Sequence, residues 1–388
     1  VSSAIAEHVV LVDIDAFDPS YLDLAETPTL DGLIEQGAFG IACGVFKSFS
    51  TPARSTLITG AWPDVHGNQA YYYDPERHLA IGQERPYENP NATPLAAETV
   101  AQVMACEGRT VIGVDYNSLC QYGISPDDPD HLLVTTGADC VERIDVAIDL
   151  LQRRRPHLLA IYLKDVDDLG HREGPDSVNM PTLVTRLDQQ IRRLVQACDA
   201  AGVSDDTVLV VVSDHGMARI AEPILPDLIR ELDRTGFSWE VVREWSSPTT
   251  DADIVVVATS RNADLTLRGR AQDASREVAA AARRLGRRVV VHERDTLKGL
   301  YATDRIGDVV VEAVPPYHLS PDTGRPAGGG HGGTAEKDVA LIVSGPGICP
   351  GALADAHLVD VAPTICALLG IRTPKDASGR VLHELFGE

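Results

Sequence analysis

The sequence is short of cations. Its 388 residues carry 34 Lys and Arg against 57 Asp and Glu, a formal net charge of -23. No block of Lys or Arg offsets the deficit, which excludes a nucleic-acid-binding surface built on phosphate neutralisation. Paired-cysteine motifs are missing as well. Cys43, Cys106, Cys120, Cys140, Cys198, Cys349 and Cys366 form no CxxC pair and sit mostly among apolar neighbours. They read as small core residues in a reducing compartment. No apolar stretch reaches the roughly 20 residues that span a bilayer, and the first residues, Val1 to Glu7, have no basic region or long apolar run. The expectation is a soluble, cytoplasmic protein without nucleic-acid or membrane partners. A leader removed before residue 1 is the alternative, and the oligomeric state is unreadable.

The run from His8 to Asp15 is β-branched and apolar until it ends in carboxylates, as a buried parallel strand does where its C-terminal end opens on a site. Similar runs at 110–114, 158–163, 207–213 and 339–343 alternate with amphipathic helical stretches at 95–107, 139–153, 180–201 and 359–369. This predicts an α/β fold, a largely parallel sheet sandwiched by helices, with a site at its carboxyl edge. From Met217 to Ala327 the pattern changes, helical at 225–235 and 271–285 and strand-like at 254–259 and 289–292. A smaller inserted α+β cap over 217–327 is expected, between core segments 1–216 and 328–388. The Pro/Gly-rich run 320–330 reads as a mobile loop returning to the core.

Ser50 stands in Phe49-Ser50-Thr51-Pro52-Ala53-Arg54, before an apolar run that suits a helix. A hydroxyl there suggests a nucleophile at a helix N-terminus, where unpaired N–H groups and the dipole favour a phosphate anion. A plain N-cap is the competing reading. Asp167 and His171 lie four residues apart after an apolar strand, in a loop that Gly170 lets bend. That spacing suits two ligands on one cation, and equally a solvated acidic loop. Asp214 and His215 end a strongly apolar strand, where water or a metal must satisfy them. His331 sits between glycines that let backbone approach a ligand. Asp15, Ser50, Asp167, His171, Asp214, His215 and His331 together offer three carboxylates, three imidazoles and a hydroxyl. The inventory fits two Zn²⁺-like ions about 4 Å apart on either side of an in-line displacement.

These segments, with Thr27 to Leu33, Pro63-Asp64-Val65-His66-Gly67-Asn68, Asp167 to Pro175, His331-Gly332 and Asp360 to Thr364, resemble the alkaline phosphatase superfamily through nearly the whole chain. Within it the resemblance is to the nucleotide pyrophosphatase/phosphodiesterase branch. It implies an alkaline-phosphatase-like core and a hydrolase for small phosphate esters or phosphonates. It also implies two divalent metal ions, Zn²⁺ first with Mn²⁺ or Fe as alternatives. Asp167, His171 and His331 would hold one metal, and Asp15, Asp214, His215 and the Ser50 oxygen the other. Asn68 would bind a non-bridging phosphoryl oxygen. The chain departs from that branch in carrying Ser50 where Thr is usual.

Rival readings remain at this level. A phosphonoacetate-hydrolase-like C–P cleaver shares the dinuclear site, but the segment Val114 to Cys120 has no Lys for a substrate carboxylate. A phosphomonoesterase is a further alternative. The run Ser50 to Arg54 also resembles a sulfatase signature, although sulfatases bind one hard cation through oxygens. Lys47 and Arg54 flank Ser50 as phosphate partners or ordinary ion pairs. Tyr71, Tyr72 and Tyr73 offer a stacking wall or core packing. Asp13, Asp165 and Asp168 neighbour the ligand set as acceptors that orient imidazoles.

Overall fold

A computed structural model describes residues 4–82, 92–322, 324 and 327–387. At its centre lies strand His8–Ile14, buried at every position. Side chains alternate across a strand, so Val9 and Leu11 enter one apolar core while Val10, Val12 and Ile14 enter the other. Leu158–Leu163 and Thr207–Val212 split in the same way. Burial on both faces demands a continuous apolar run, and each fully buried Val, Leu or Ile contributes roughly 1.5–3 kcal/mol.

Eight strands bond in the order Gly351–Ala352, Ala38–Cys43, Asp338–Ser344, Thr207–Val212, His8–Ile14, Leu158–Leu163, Val111–Val114, His131–Val134. Asp338–Ser344 is antiparallel to both neighbours, while the other pairings are parallel. The sheet is thus largely parallel, with helices Cys140–Arg154 and Met180–Ala201 on one face and Ser50–Thr59 and Val361–Leu368 on the other. The helix expected over 95–107 begins only at Val100. Thr99 and Gln102 form a reciprocal capping box there, which sets the start more firmly than the preceding composition.

Residues inside the expected insert form a second, five-stranded mixed sheet, ordered Trp239–Val241, Ile254–Ala258, Asn262–Leu267, Val309–Ala313, Val289–Glu293. Helices Leu225–Asp233 and Ser275–Arg283 share its apolar core. The strand Asn262–Leu267 escaped the sequence reading because Asn262 and Asp264 interrupt its apolar pattern, and Val309–Ala313 was also missed. The ends of the stretch meet where Ala218–Ile220 pairs with Gly328–Gly330. Gly328–Gly330 is therefore a strand and not loop, while Thr323, Arg325 and Pro326 of the run 320–330 lie outside the described residues.

Candidate active site

Helix Ser50–Thr59 is buried along its whole length and carries Ser50 at its first position. Phe49, extended at φ -105° and ψ 152°, takes the N-cap place and makes no side-chain cap. Ser50 is therefore not a plain cap. Its Oγ lies 3.1 Å from His215 Nε2. Asp15 Oδ1 is 3.2 Å and Asp214 Oδ2 3.8 Å from the same nitrogen.

Asp15 and Asp214 follow neighbouring parallel strands, so the topology brings them together at the carboxyl edge. Arg54 reaches back from the helix to close this cluster. Its Nη2 bonds Asp15 at 2.9 Å, its Nε bonds Asp214 at 3.1 Å, and Asp13 lies 3.6 Å away. The guanidinium rests 4.0 Å from the centroid of the Tyr162 ring, whose hydroxyl donates to Asp15. One buried cation thus faces three buried carboxylates. Burial, then the charge of Asp214, pushes Asp13 well above the usual carboxylate range. Burial and Asp15 likewise raise Asp214. Burial also opposes ionisation of Asp15, but Arg54 and then His215 outweigh it and hold that carboxyl low. Burial keeps His215 neutral by pushing its imidazole down.

Asp167 and His171 form the second cluster. The structure corrects the expected loop: helix Asp165–Glu173 carries both, and the four-residue spacing puts them on one helical face. His171 Nε2 is 3.3 Å from Asp167 Oδ1 and 3.1 Å from His331 Nε2, which is 3.7 Å from Asp167 Oδ1. The ring of His331 stacks on His215 at 3.8 Å, so the clusters are contiguous. Single donor atoms of Asp167, His215 and His331 lie within 4.8 Å of one another, as do those of Asp15, Asp214 and His215.

Each imidazole is oriented by a main-chain carbonyl. His171 Nδ1 donates to Gly329 O at 3.1 Å, His331 Nδ1 to Ser48 O at 3.0 Å and His215 Nδ1 to Gly216 O at 2.9 Å. A carbonyl only accepts, so each Nδ1 carries a proton and each ring turns its Nε2 into the site. Asp15 Oδ1 and Asp167 Oδ1 are buried and accept no hydrogen bond. Converging ring nitrogens and buried, unsatisfied carboxylate oxygens are the donor set a divalent cation requires, so these residues fit two metal ions.

The His331 loop is held from two sides. From the core, Ser48 Oγ donates to Gly333 O at 2.7 Å. From the second sheet, Asn262 Nδ2 donates to Gly332 O at 2.6 Å, Ser260 Oγ to His331 O at 3.2 Å, and Thr334 N to Glu312 at 2.6 Å. Arg261, fully buried, pairs with Glu336, whose other oxygen accepts Gly333 N at 2.8 Å. Glycine is required here. A Cβ on Gly329 would lie 2.4 Å from Gly170 O, and one on Gly332, at φ +118°, 2.5 Å from the Phe49 ring.

Ser50, Asn68, Asp15, Asp167, His171 and His331 open on one cavity of ≈ 420 Å³. Asn68 Nδ2 donates to Ser55 Oγ at 3.1 Å on the cavity wall, after a turn at Gly67 that ends helix Pro63–His66. Lys47 is not a phosphate partner. It is fully buried and paired with Asp264 of the second sheet at 2.9 Å. Arg54 takes the ion-pair role. Tyr72 and Tyr73 are buried, Tyr73 against Val255 and Val257, so no three-ring wall forms. Asp165 accepts Cys140 N at 3.1 Å and Asp168 pairs with Lys164 at 3.3 Å, so neither orients an imidazole. Ser48, Tyr162 and Asn262 were missed by sequence reasoning. Only Tyr162, a polar interruption in an apolar strand, left a signal.

Residues 9–334 match the family model of type I phosphodiesterase / nucleotide pyrophosphatase. An uncharacterized pyrophosphatase/phosphodiesterase of Schizosaccharomyces pombe is 27% identical over 216 residues, 54% of this chain and 44% of its own length. The mouse bis(5'-adenosyl)-triphosphatase is 25% identical over 252 residues, 61% of this chain and 53% of its own. The chain spans about half the length of the curated relatives it matches. Inactive murine ectonucleotide pyrophosphatase / phosphodiesterase 5 in complex with AMP superposes with a TM-score of 0.77 at 20% identity, covering 95% of this chain and 96% of the other. At that identity the likeness establishes the fold. The family match extends from the first strand of the sheet through Asp15, Ser50, Asp167, Asp214 and His331, and the chain belongs to the type I phosphodiesterase/nucleotide pyrophosphatase family.

Proposed function

We propose that this protein hydrolyses phosphodiester or pyrophosphate bonds of small molecules, with Ser50 as nucleophile beside two divalent metal ions. The observation that carries the reading is the Ser50 Oγ, 3.1 Å from His215 Nε2, at a helix N-terminus between two carboxylate–imidazole clusters. The name of the mouse relative, a bis(5'-adenosyl)-triphosphatase, supports a small organic phosphate as substrate. Divalent cations held by Asp167, His171 and His331, and by Asp15, Asp214 and His215, would neutralise phosphoryl charge and make the Ser50 hydroxyl more acidic. Zn²⁺ is our choice for this imidazole-rich set, ahead of Mn²⁺ or Fe.

In the first displacement the Ser50 Oγ–P bond forms as the ester P–O bond opposite it breaks. The hydroxyl proton ends on the departing alcohol, and the chain carries a phosphorylated Ser50 that keeps the second ester arm of the substrate. Water then attacks phosphorus, the Oγ–P bond breaks and Oγ–H is restored. Asn68, braced by Ser55, donates its amide to a non-bridging oxygen. Arg54 and Tyr162 hold Asp15 and Asp214 in register throughout. A cytoplasmic location is also our proposal, supported by seven unpaired cysteines.

Ser50→Ala should lower kcat on a 4-nitrophenyl phosphodiester by about a thousandfold or more, with circular dichroism unchanged. Near-native kcat in that variant would overturn the nucleophile. A panel of diester, monoester, phosphonoacetate and aryl sulfate, with elemental analysis of the protein, separates this reading from its rivals.

A further inference from the structure

The cavity extends past Ser50 along the carboxyl ends of three adjacent parallel strands, Leu158–Leu163, Val111–Val114 and His131–Val134. There it is lined by Asn117, Ser118, Thr135, Arg143 and Lys164, none of which belongs to the two clusters. Arg143 is only 3% exposed, yet its guanidinium is not used up. Nε donates to Asp115 at 2.6 Å and Nη1 to Tyr162 O at 3.1 Å, and Nη2 has no hydrogen-bond partner among the described residues.

Asp115, itself part of the cavity lining, offsets part of this charge through the 2.6 Å ion pair. Its carboxylate also accepts Thr136 N, Thr136 Oγ1 and Gly137 N, and it sits in the left-handed region at φ +52°. Asp115 thus orients Arg143 and leaves the Nη2 edge turned to the cavity. The Asn117 Nδ2 makes no hydrogen bond among the described residues either and can donate to a ligand, whereas the buried Oδ1 of the same amide only accepts and does not serve an anion. The guanidinium edge and the amide nitrogen on one wall are two donors that an oxyanion in the cavity can engage. Lys164 stands at the same wall, paired at 3.3 Å with the half-exposed Asp168. Leu95 is the one aliphatic side chain among the lining residues, so the wall suits oxygen-rich groups.

We propose that Arg143, with Asn117 and Lys164, forms a subsite for a second anionic group on the substrate, a carboxylate or a further phosphate, distinct from the phosphoryl group attacked by Ser50. The inference rests on the hydrolase reading and names the class of substrate: a phosphate ester whose second arm ends in an oxyanion. It also supplies cations that the Lys-free segment Val114 to Cys120 lacked, from the helix Cys140–Arg154 and the end of the neighbouring strand.

The test compares 4-nitrophenyl phosphodiesters whose second alcohol is propyl, 3-carboxypropyl or 3-phosphopropyl, on the metal-loaded protein. One or both charged arms should raise kcat/KM about tenfold over propyl, chiefly through KM, and which arm does so identifies the anion. In Arg143→Lys and in Lys164→Ala, a rim change with little risk to folding, that ratio should fall toward one. Equal kcat/KM for all three arms in the wild type overturns the subsite and leaves the hydrolase reading standing. If no arm is turned over, the hydrolase reading falls. Calorimetric binding of the same diesters to Ser50→Ala protein then decides the subsite, which fails if charged and propyl arms bind alike.

Discussion

Around Asp15 and Asp214 the site is made from the ends of adjacent strands and closed by a buried arginine. Around Asp167 and His171 it is made from a helix, a glycine run and a loop held by another sheet. In the first cluster the side chains of Asp15, Asp214 and His215 are at most 2% exposed. In the second, Asp167 is 16% and His171 32% exposed. The first has an internal cation, Arg54, that neutralises part of its charge without a metal. The second has only carboxylate and imidazole donors and reaches its geometry through contacts that span the chain, such as Asn262 to Gly332. The difference teaches that one half is built into the core of the fold, and the other is an assembly whose order depends on its bracing and on the ion it would hold.

The largest test of that contrast is Arg54→Leu. It leaves Asp13, Asp15 and Asp214 buried without a counter-charge, and should cost about 3–5 kcal/mol in urea melts without added metal. Saturating divalent metal should recover part of the loss; an unchanged midpoint would show that the cluster does not need its arginine. His171→Ala should lose one of the two proposed ions by elemental analysis. kcat should fall at least about a hundredfold, with a smaller change in Tm than Arg54→Leu. Asn262→Ala removes a brace and no ligand, so metal affinity at the second cluster should weaken roughly tenfold by competition with a chelator. Unchanged affinity would assign the loop's geometry to its other braces, Ser48, Ser260 and Glu336.

An ion pair outside both clusters marks the lower end of the scale. Bidentate hydrogen bonds from Arg372 bring the Glu98 carboxyl down to about 2. A carboxylate with a depressed folded pKa stabilises above its unfolded value and loses that contribution as the pH falls. The advantage of the wild type over Glu98→Gln should be under about 1 kcal/mol at neutral pH. It should shrink as the pH falls below the ordinary glutamate value of 4.5 and vanish near pH 2 in acid denaturation.

Much of the sheet and most ligand-type residues were legible because both follow local rules. A strand buried on both faces must be apolar throughout, so 158–163 and 207–213 announced themselves, and Asp15 and Asp214 were visible as the carboxylates that end such runs. The helix Asp165–Glu173 was misread as loop because its acids and Gly170 resemble a solvated turn, while the face it buries is supplied by distant residues. By its nearness to Ser50 in the chain, Lys47 read equally as a phosphate partner or an ordinary ion pair. Its actual partner, Asp264, comes from a strand hidden by its own polar residues.

The sequence by itself determined the alternation of strands and helices, the chemical inventory of the site and the placement of Asp15, Asp214 and His215 at strand ends. These depend on periodicity and residue type, which are properties of short segments. Only the tertiary structure decided that Arg54 neutralises the buried carboxylates, that backbone carbonyls of Ser48, Gly216 and Gly329 aim the imidazoles, and that the second sheet braces His331. Those contacts join residues far apart in the chain. Their energies come from burial and hydrogen-bond geometry, which no local pattern of side chains records.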